Sequence, residues 1–386
     1  MSLPLDPSIA TAPAKLEDGI GLALSGGGYR AMMFHVGVLI RLNQTALLRK
    51  VKTISSVSGG SITAGVLGMC WKDLRFEGDV AANFGIVVDR LRKMAETSVD
   101  AGAVIKGILF PGSISDRVAQ AYDSVLFEGA KLDALPDDSQ AGNPRFVINA
   151  TNIQTADLWR FSRDTMGDYR VGLVQHPDVS LAAAVAASSA FPPVLSPATL
   201  NITQPVVNMP GADLHTEPYT KQAILSDGGV YDNLGLETIT KRYTTLLVSD
   251  AGQKIAPEGD PPHDWARHSL RVLDVIDNQV RSLRKRYLIE AYQRGEHTGT
   301  YWGIRTNFAD YKVAPDSLQC ATRDPSALAA IPTRLEAMPR DQQDRLMNWG
   351  YAICDAALRA HLDPALQEKL GVRIAPPTGF PFAGGY

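Results

Sequence analysis

An α/β fold with a mostly parallel central sheet is predicted here on three observations. Gly19 to Ser25 reads as a buried strand that runs straight into Gly26-Gly27-Gly28-Tyr29-Arg30, with a helix-compatible run from Ala31 to Asn43 behind it. Val51 to Val57 repeats the plan: a β-prone run stops at Ser58-Gly59-Gly60, and small helix-compatible residues follow from Ile62 to Trp71. Tyr243 to Asp250 is a further strand of the same apolar kind. Strands without a polar face, alternating with helices, belong to sheets covered on both sides.

The remaining elements follow in order. Phe34, Val38 and Leu42 stand at helical spacing in the first helix, and Asn83 to Met94 reads as another helix. Ala101 to Phe110 is more apolar than a connection should be, and it reads as a core helix, with a lid or interfacial surface as the competing reading. Phe146 to Thr155 and Leu158 to Arg163 alternate as a hairpin does. Val179 to Ser189 is an alanine-rich helix halted by Phe191-Pro192-Pro193. Residues 196–222, rich in proline and turn formers, read as a long surface insertion. Ala223 to Ser226 is a short strand, Val272 to Arg294 a long helix carrying Arg281, Arg284, Lys285 and Arg286, and Thr300 to Thr306 a late strand. Asp341 to His361 closes the series as a helix striped by Leu346, Trp349, Ile353 and Leu358. The organisation predicted is a flexible arm over residues 1–18, one main α/β domain over 19–310 with the insertion at about 196–222, and an extension over 311–386 packed on it.

With 386 residues and 45% hydrophobic content, the chain has enough apolar material for a sizeable core. A net charge of -3 gives no general electrostatic reason to expect a nucleic acid polymer as partner. Cys70, Cys320 and Cys354 are odd in number and far apart, so neither a metal cluster nor a disulfide framework is expected, and a reducing, cytoplasmic compartment fits. Met1 to Asp18 lacks the basic and apolar regions of a secretory signal. No apolar run reaches the roughly 18 to 20 residues of a membrane span.

Three segments carry chemistry. A serine at a sharp strand-to-helix turn has its hydroxyl pushed clear of the sheet, and Gly60 picks Ser58 from the four serines in its stretch. Ser56 stands where the usual elbow pattern has its first glycine, which predicts local strain, and an ordinary Ser/Gly turn is the competing reading. Consecutive glycines, Gly26, Gly27 and Gly28, can aim backbone N–H groups at a developing oxyanion from the positive end of a helix. The same loop lacks the Gly-Lys-Ser/Thr ending of a P-loop and the spacing of a dinucleotide fingerprint. Arg30 beside it could pair with a carboxylate, hold the loop, or meet an anionic headgroup. None of the seven histidines sits in a catalytic context. Asp227, at a strand end in Ser-Asp-Gly-Gly, is accessible between Gly228 and Gly229 and could take a hydroxyl proton directly, with turn capping as the alternative. Its surroundings do not have the spacing of an EF-hand calcium loop.

Taken together, Gly26 to Arg30, Ser56 to Gly60 and Asp227 to Gly229 resemble, in content and order, the oxyanion loop, serine elbow and Asp-Gly-Gly motif of the patatin-like phospholipase family. Ala187 to Pro193 resembles a further block of that family, found near the active site. The resemblance covers roughly residues 19 to 250. It implies a three-layer α/β/α fold and a Ser-Asp dyad of Ser58 as nucleophile and Asp227 as base. Gly26, Gly27 and Gly28 would form the oxyanion hole, Arg30, Gly60, Gly228 and Gly229 would support it, and no metal or cofactor would be needed. Asp232 and Asn233 are guessed to brace the loop of Asp227. The implied reaction is hydrolysis of acyl esters of membrane glycerolipids through an acyl-enzyme, on phospholipid or lysophospholipid met at a membrane surface. Ala101 to Phe110 and the basic run Arg281 to Arg286 would provide that contact, although a solvated helix face is the plainer reading of the basic run. A regulated effector of signalling or antiviral defence, gated by a small anionic activator or a protein partner, is the alternative.

Overall fold

The computed structural model describes residues 15–99, 113–253, 255–383 and 385–386, so Ala101 to Phe110 lies outside the described residues. Strand β1 (Glu17–Leu24) leads to helix α1 (Gly28–Gln44), and β2 (Val51–Val57) to α2 (Gly59–Cys70). Helices α3 (Gly85–Ala95) and α4 (Ile114–Tyr122) precede strands β3 (Arg145–Asn152), β4 (Asp157–Phe161), β5 (Thr165–Asp168) and β6 (Gly172–Gln175). Helix α5 (Leu181–Ser188) is followed by β7 (Ala198–Asn201), β8 (Val206–Val207), β9 (Gln222–Asp227) and β10 (Tyr243–Asp250). The long helix α6 (Trp265–Gln293), strand β11 (Thr298–Gly303) and helices α7 (Arg340–His361) and α8 (Pro364–Leu370) complete the principal elements.

One sheet holds these strands in the order β8-β6-β5-β4-β3-β2-β1-β10-β11, with β9 paired to β3 and to β7. Its centre is parallel: β3, β2, β1, β10 and β11 run alongside one another in the same direction. The strands beyond β3 are antiparallel, beginning with the expected hairpin of β3 and β4. Strand β9 enters antiparallel to β3, pairing Asp227 with Ala150. Residues 196–222 depart from the expected insertion, because β7 and β8 extend the sheet by pairing with β9 and β6. Strands of four and two residues are too short to show a period.

The sheet separates two apolar layers, and side chains alternate between them as strand geometry requires. Ile20, Leu22, Leu24 and Leu247 face the larger core with α1, α2 and α7, whereas Ala23, Leu246 and Val248 face a smaller one with Ile239 and Leu288 of α6. Helix α1 is buried on all sides from Gly28 to Leu39, which is why its apolar content exceeds a single stripe. Helix α7 lies against it so closely that a Cβ on Gly37 would sit 1.8 Å from the carbonyl oxygen of Met347. A buried ion pair, Arg41 to Asp355 at 2.6 Å, ties the same two helices.

The α1–α7 crossing yields a first prediction. Gly37→Ala forces two helix backbones apart and is expected to cost about 3 kcal/mol or more. A lowered urea midpoint would show it, whereas an unchanged midpoint would mean that the helices separate freely.

Candidate active site

Strand β2 ends at Val57, and α2 begins at Gly59. The residue between them, Ser58, has φ 51° and ψ -121°. A serine at positive φ costs roughly 1 to 3 kcal/mol and persists only where its surroundings enforce it. The enforcement is visible. Ser58 N–H donates to Ser188 Oγ at 3.0 Å, and Ser188 Oγ donates to Asn149 O at 2.6 Å. Asn149 Nδ2 in turn donates to Ser55 Oγ and Ser56 O, both at 2.9 Å. A Cβ on Gly60 would lie 2.4 Å from Leu24 O, and one on Gly59 would lie 2.1 Å from Gly28 O, so neither position admits a side chain without movement. The strain expected at Ser56 is absent: it pairs with Leu24 and Ile148 as an ordinary strand residue, and the positive φ falls on Ser58 instead.

The glycine loop lies directly against this turn. Gly26 N–H donates to Asn233 O at 3.1 Å, so of the three glycines expected to supply oxyanion donors this one is already committed. The amides of Gly27 and Gly28 meet no acceptor among the described residues. Gly28 opens α1, which has neither a side-chain cap nor an acidic residue in its first turn, and the same holds for α2 at Gly59. Two uncompensated helix N-termini therefore converge here, and both favour negative charge. Motif reading missed the Gly59 amide, although the residue after an elbow serine is a regular oxyanion donor.

Arg30 is fully buried and takes the holding role among those foreseen for it. Its Nε and Nη2 donate to Ala251 O at 3.0 and 2.9 Å, and its Nη1 donates to Ile331 O. The next amide, Tyr29 N–H, donates to Arg334 O at 3.0 Å. Residues 331–335, from the C-terminal part of the chain, thereby brace the glycine loop, and nothing in the sequence marks them for it.

Strand β9 delivers Asp227 to the same place. It is 2% exposed, and its Oδ1 accepts Gly229 N–H at 2.7 Å. Burial pushes its carboxyl up to about 7, an effect opposed by the Gly229 amide and by a hydrogen bond from the Ser58 side chain. Gly228 N–H donates to Ser188 O at 3.2 Å, so one α5 residue holds both the serine turn and the aspartate turn. Asp232 accepts Glu237 N–H at 2.7 Å and Leu234 N–H at 3.2 Å, so it ties down the segment that follows it, while the Asn233 carbonyl holds the glycine loop. His35, the one histidine close by in sequence, spends its ring nitrogens on Ser249 Oγ and Ser25 O, both at 2.9 Å. Burial lowers it to about 4, so at neutral pH it is uncharged.

Two hollows meet at Ser58. One, of about 420 Å³, is lined by Gly27, Ser58 and Asp227 and by Arg271, Asp274 and Asp277 of α6. The other, of about 220 Å³, runs past Val99, Phe191, Val194, Leu195 and Leu335 and is apolar. The basic run of α6 is mostly neither a solvated face nor a headgroup patch. Arg281 pairs with Asp277 one turn earlier on the same helix at 3.0 Å, Arg284 with Glu237 at 3.3 Å, and Lys285 with the buried Asp250 at the end of β10. Only Arg286 of the four is exposed.

Fold and site define a class: an α/β/α protein with a strained serine at a strand-to-helix turn and an aspartate brought to it from another strand. The model of the patatin-like phospholipase family matches residues 22–239, more than half of the chain, and the chain belongs to that family. Its fold is similar to that of human GIVD cytosolic phospholipase A2, with a TM-score of 0.54 and 13% identity over 92% of this chain and 63% of that one. The same human protein in complex with methyl gamma-linolenyl fluorophosphonate gives a TM-score of 0.51 and 15% identity over 92% and 59%. At such identities the likeness concerns the fold, and the chain spans less than two thirds of the length of those structures. No curated protein is significantly similar to it.

Proposed function

We propose that the protein is a lipid acyl hydrolase of the phospholipase A or lysophospholipase type, working through Ser58 and Asp227. The observation that carries this reading is a buried carboxyl, raised to about 7 and hydrogen-bonded by the Ser58 side chain, beside the unengaged amides of Gly27 and Gly28. A carboxylate with that pKa can accept a hydroxyl proton at neutral pH and give it back within the same cycle. Ser58 Oγ attacks the acyl carbonyl carbon while its proton passes to Asp227. The carbonyl oxygen, now negative, is held by the Gly27 and Gly28 amides with that of Gly59, where each donor is worth about 3 to 4 kcal/mol in such sites. Asp227 then protonates the departing alcohol, leaving an acyl-Ser58 ester that water cleaves by the same path.

The paired hollows fit an ester with one apolar and one polar arm. The acyl chain lies toward Val194, Leu195 and Leu335, and the glycerol and headgroup lie toward Arg271 and Asp274. Among the described residues no helix is long and apolar enough to cross a membrane, so such a substrate is met at the bilayer surface. The test is release of fatty acid from diacyl phospholipid and from lysophospholipid, with quantified free acid as the readout. Release from either supports the reading. Release from neither, by folded protein, removes it.

A further inference from the structure

Among the described residues, nine of the fourteen exposed large apolar side chains sit on one element, α6. Every residue from Trp265 to Ile276 except Arg271 is exposed, so the first three turns stand away from the body of the protein. Trp265 is 84% exposed, Leu273 56% and Val275 53%. Such a concentration calls for a partner, since soluble surfaces seldom gather apolar area of this kind without one.

We infer that the N-terminal half of α6 is a lipid-docking element that seats the mouth of the catalytic cavity on a bilayer. Two features point to lipid. The first is the width of the apolar face. At 100° per residue, Val275, Val272, Trp265, Ile276, Leu273 and Leu270 spread over roughly 220° of the helix, whereas a seam for one partner helix is much narrower. Within residues 265–276 only Ala266, His268 and Ser269 interrupt that arc, and of these only His268 and Ser269 are polar; Asp277 and Gln279 follow on the same arc and mark where it ends. A helix apolar over more than half its circumference suits the boundary between headgroups and acyl chains, with the tryptophan near the polar zone. The second feature is proximity to the site. Arg271 and Asp274, on the remaining arc of the same turns, line the cavity that contains Ser58 and Asp227. The helix thus turns its apolar arc outward and walls the cavity with its other side, so a surface on the apolar arc lies one helix diameter, roughly 10 Å, from the cavity. The inference rests on the hydrolase reading for its meaning but not for its physics.

The test uses the full chain, phosphatidylcholine vesicles and a dissolved monomeric short-chain ester. Wild type and Ser58→Ala are expected to float with the vesicles to the same extent. The double variant Val272→Asp, Ile276→Asp places two charges on the exposed arc, where folding is not at stake, and should bind vesicles at least about tenfold more weakly. Its activity on vesicles should fall by the same factor, while hydrolysis of the dissolved ester changes by less than about twofold. Equal vesicle binding by wild type and double variant overturns the inference. So does wild-type protein that ignores vesicles, or a wild-type oligomer that the double variant dissolves, which would assign the face to a second copy. Vesicle binding lost in the double variant, with no ester cleaved by wild type, would sink the hydrolase reading and leave the docking face in place.

Discussion

Ser58→Ala is expected to lose hydrolysis of every acyl ester by roughly 10⁴-fold or more, the scale on which removal of a nucleophile registers in serine hydrolases. The mutation deletes one oxygen at a position where the backbone is the constrained part. The Ser58 amide still reaches Ser188, so the thermal midpoint should stay close to that of the wild type. A fluorophosphonate probe separates chemistry from folding. Its phosphorus is attacked by an activated serine oxygen with loss of fluoride, and a single labelled peptide carrying Ser58 is expected. Many serines surround this one, and several are buried beside it: Ser55, Ser56, Ser61 and Ser188. Equal labelling of Ser58→Ala would transfer the role to another of them.

Asp227 carries the second large effect. Asp227→Asn retains an oxygen for the Gly229 amide but removes the proton acceptor, and turnover should drop by roughly 10³-fold or more. The wild type should also show the titration of that carboxyl. Burial raises it from the usual carboxylate range to about 7, so below that pH the group is protonated and no longer basic enough to take the serine proton. The expected kcat/KM therefore climbs about tenfold per pH unit on the acid side, bends near 7, and levels above it. A flat profile down to pH 5 would assign proton acceptance to a group with an ordinary pKa. The sign for stability is opposite. A carboxyl that binds its proton more tightly when folded loses folding free energy as pH rises from the unfolded value through 7. Asp227→Asn should accordingly gain stability relative to wild type at pH 8, so inactivity in that variant would not be a folding defect.

Much of the architecture was legible because its signals are local. Strands β2 and β10 lie on the residues expected, since each is a buried apolar run with abrupt ends. Helix α1 begins at Gly28 rather than Ala31, because glycine carries no helix preference of its own and here is held in the helix by packing. Helix α6 begins at Trp265, seven residues before the expected Val272. Its first turns contact little of the protein, so no core-facing period reveals them. The family motifs led to Ser58 and Asp227, and burial and pairing of the intervening strands put them in one cavity. What stayed hidden are interactions of the main chain. Asn233 claims the Gly26 amide, and Ile331 and Arg334 receive Arg30 and the Tyr29 amide, through carbonyl groups that any residue would present. Side-chain patterns do not record such contacts.

That bracing has a consequence for how the molecule is made. Ile331 follows Arg30 by 301 positions. On a ribosome, early regions form first, so the serine and its glycines emerge long before the carbonyls that align them. A copy whose synthesis has passed Asp227 but not yet reached Ile331 thus holds every atom of the proposed dyad yet lacks the contacts that fix the glycine loop, and the arrangement is complete only once translation has passed residue 334.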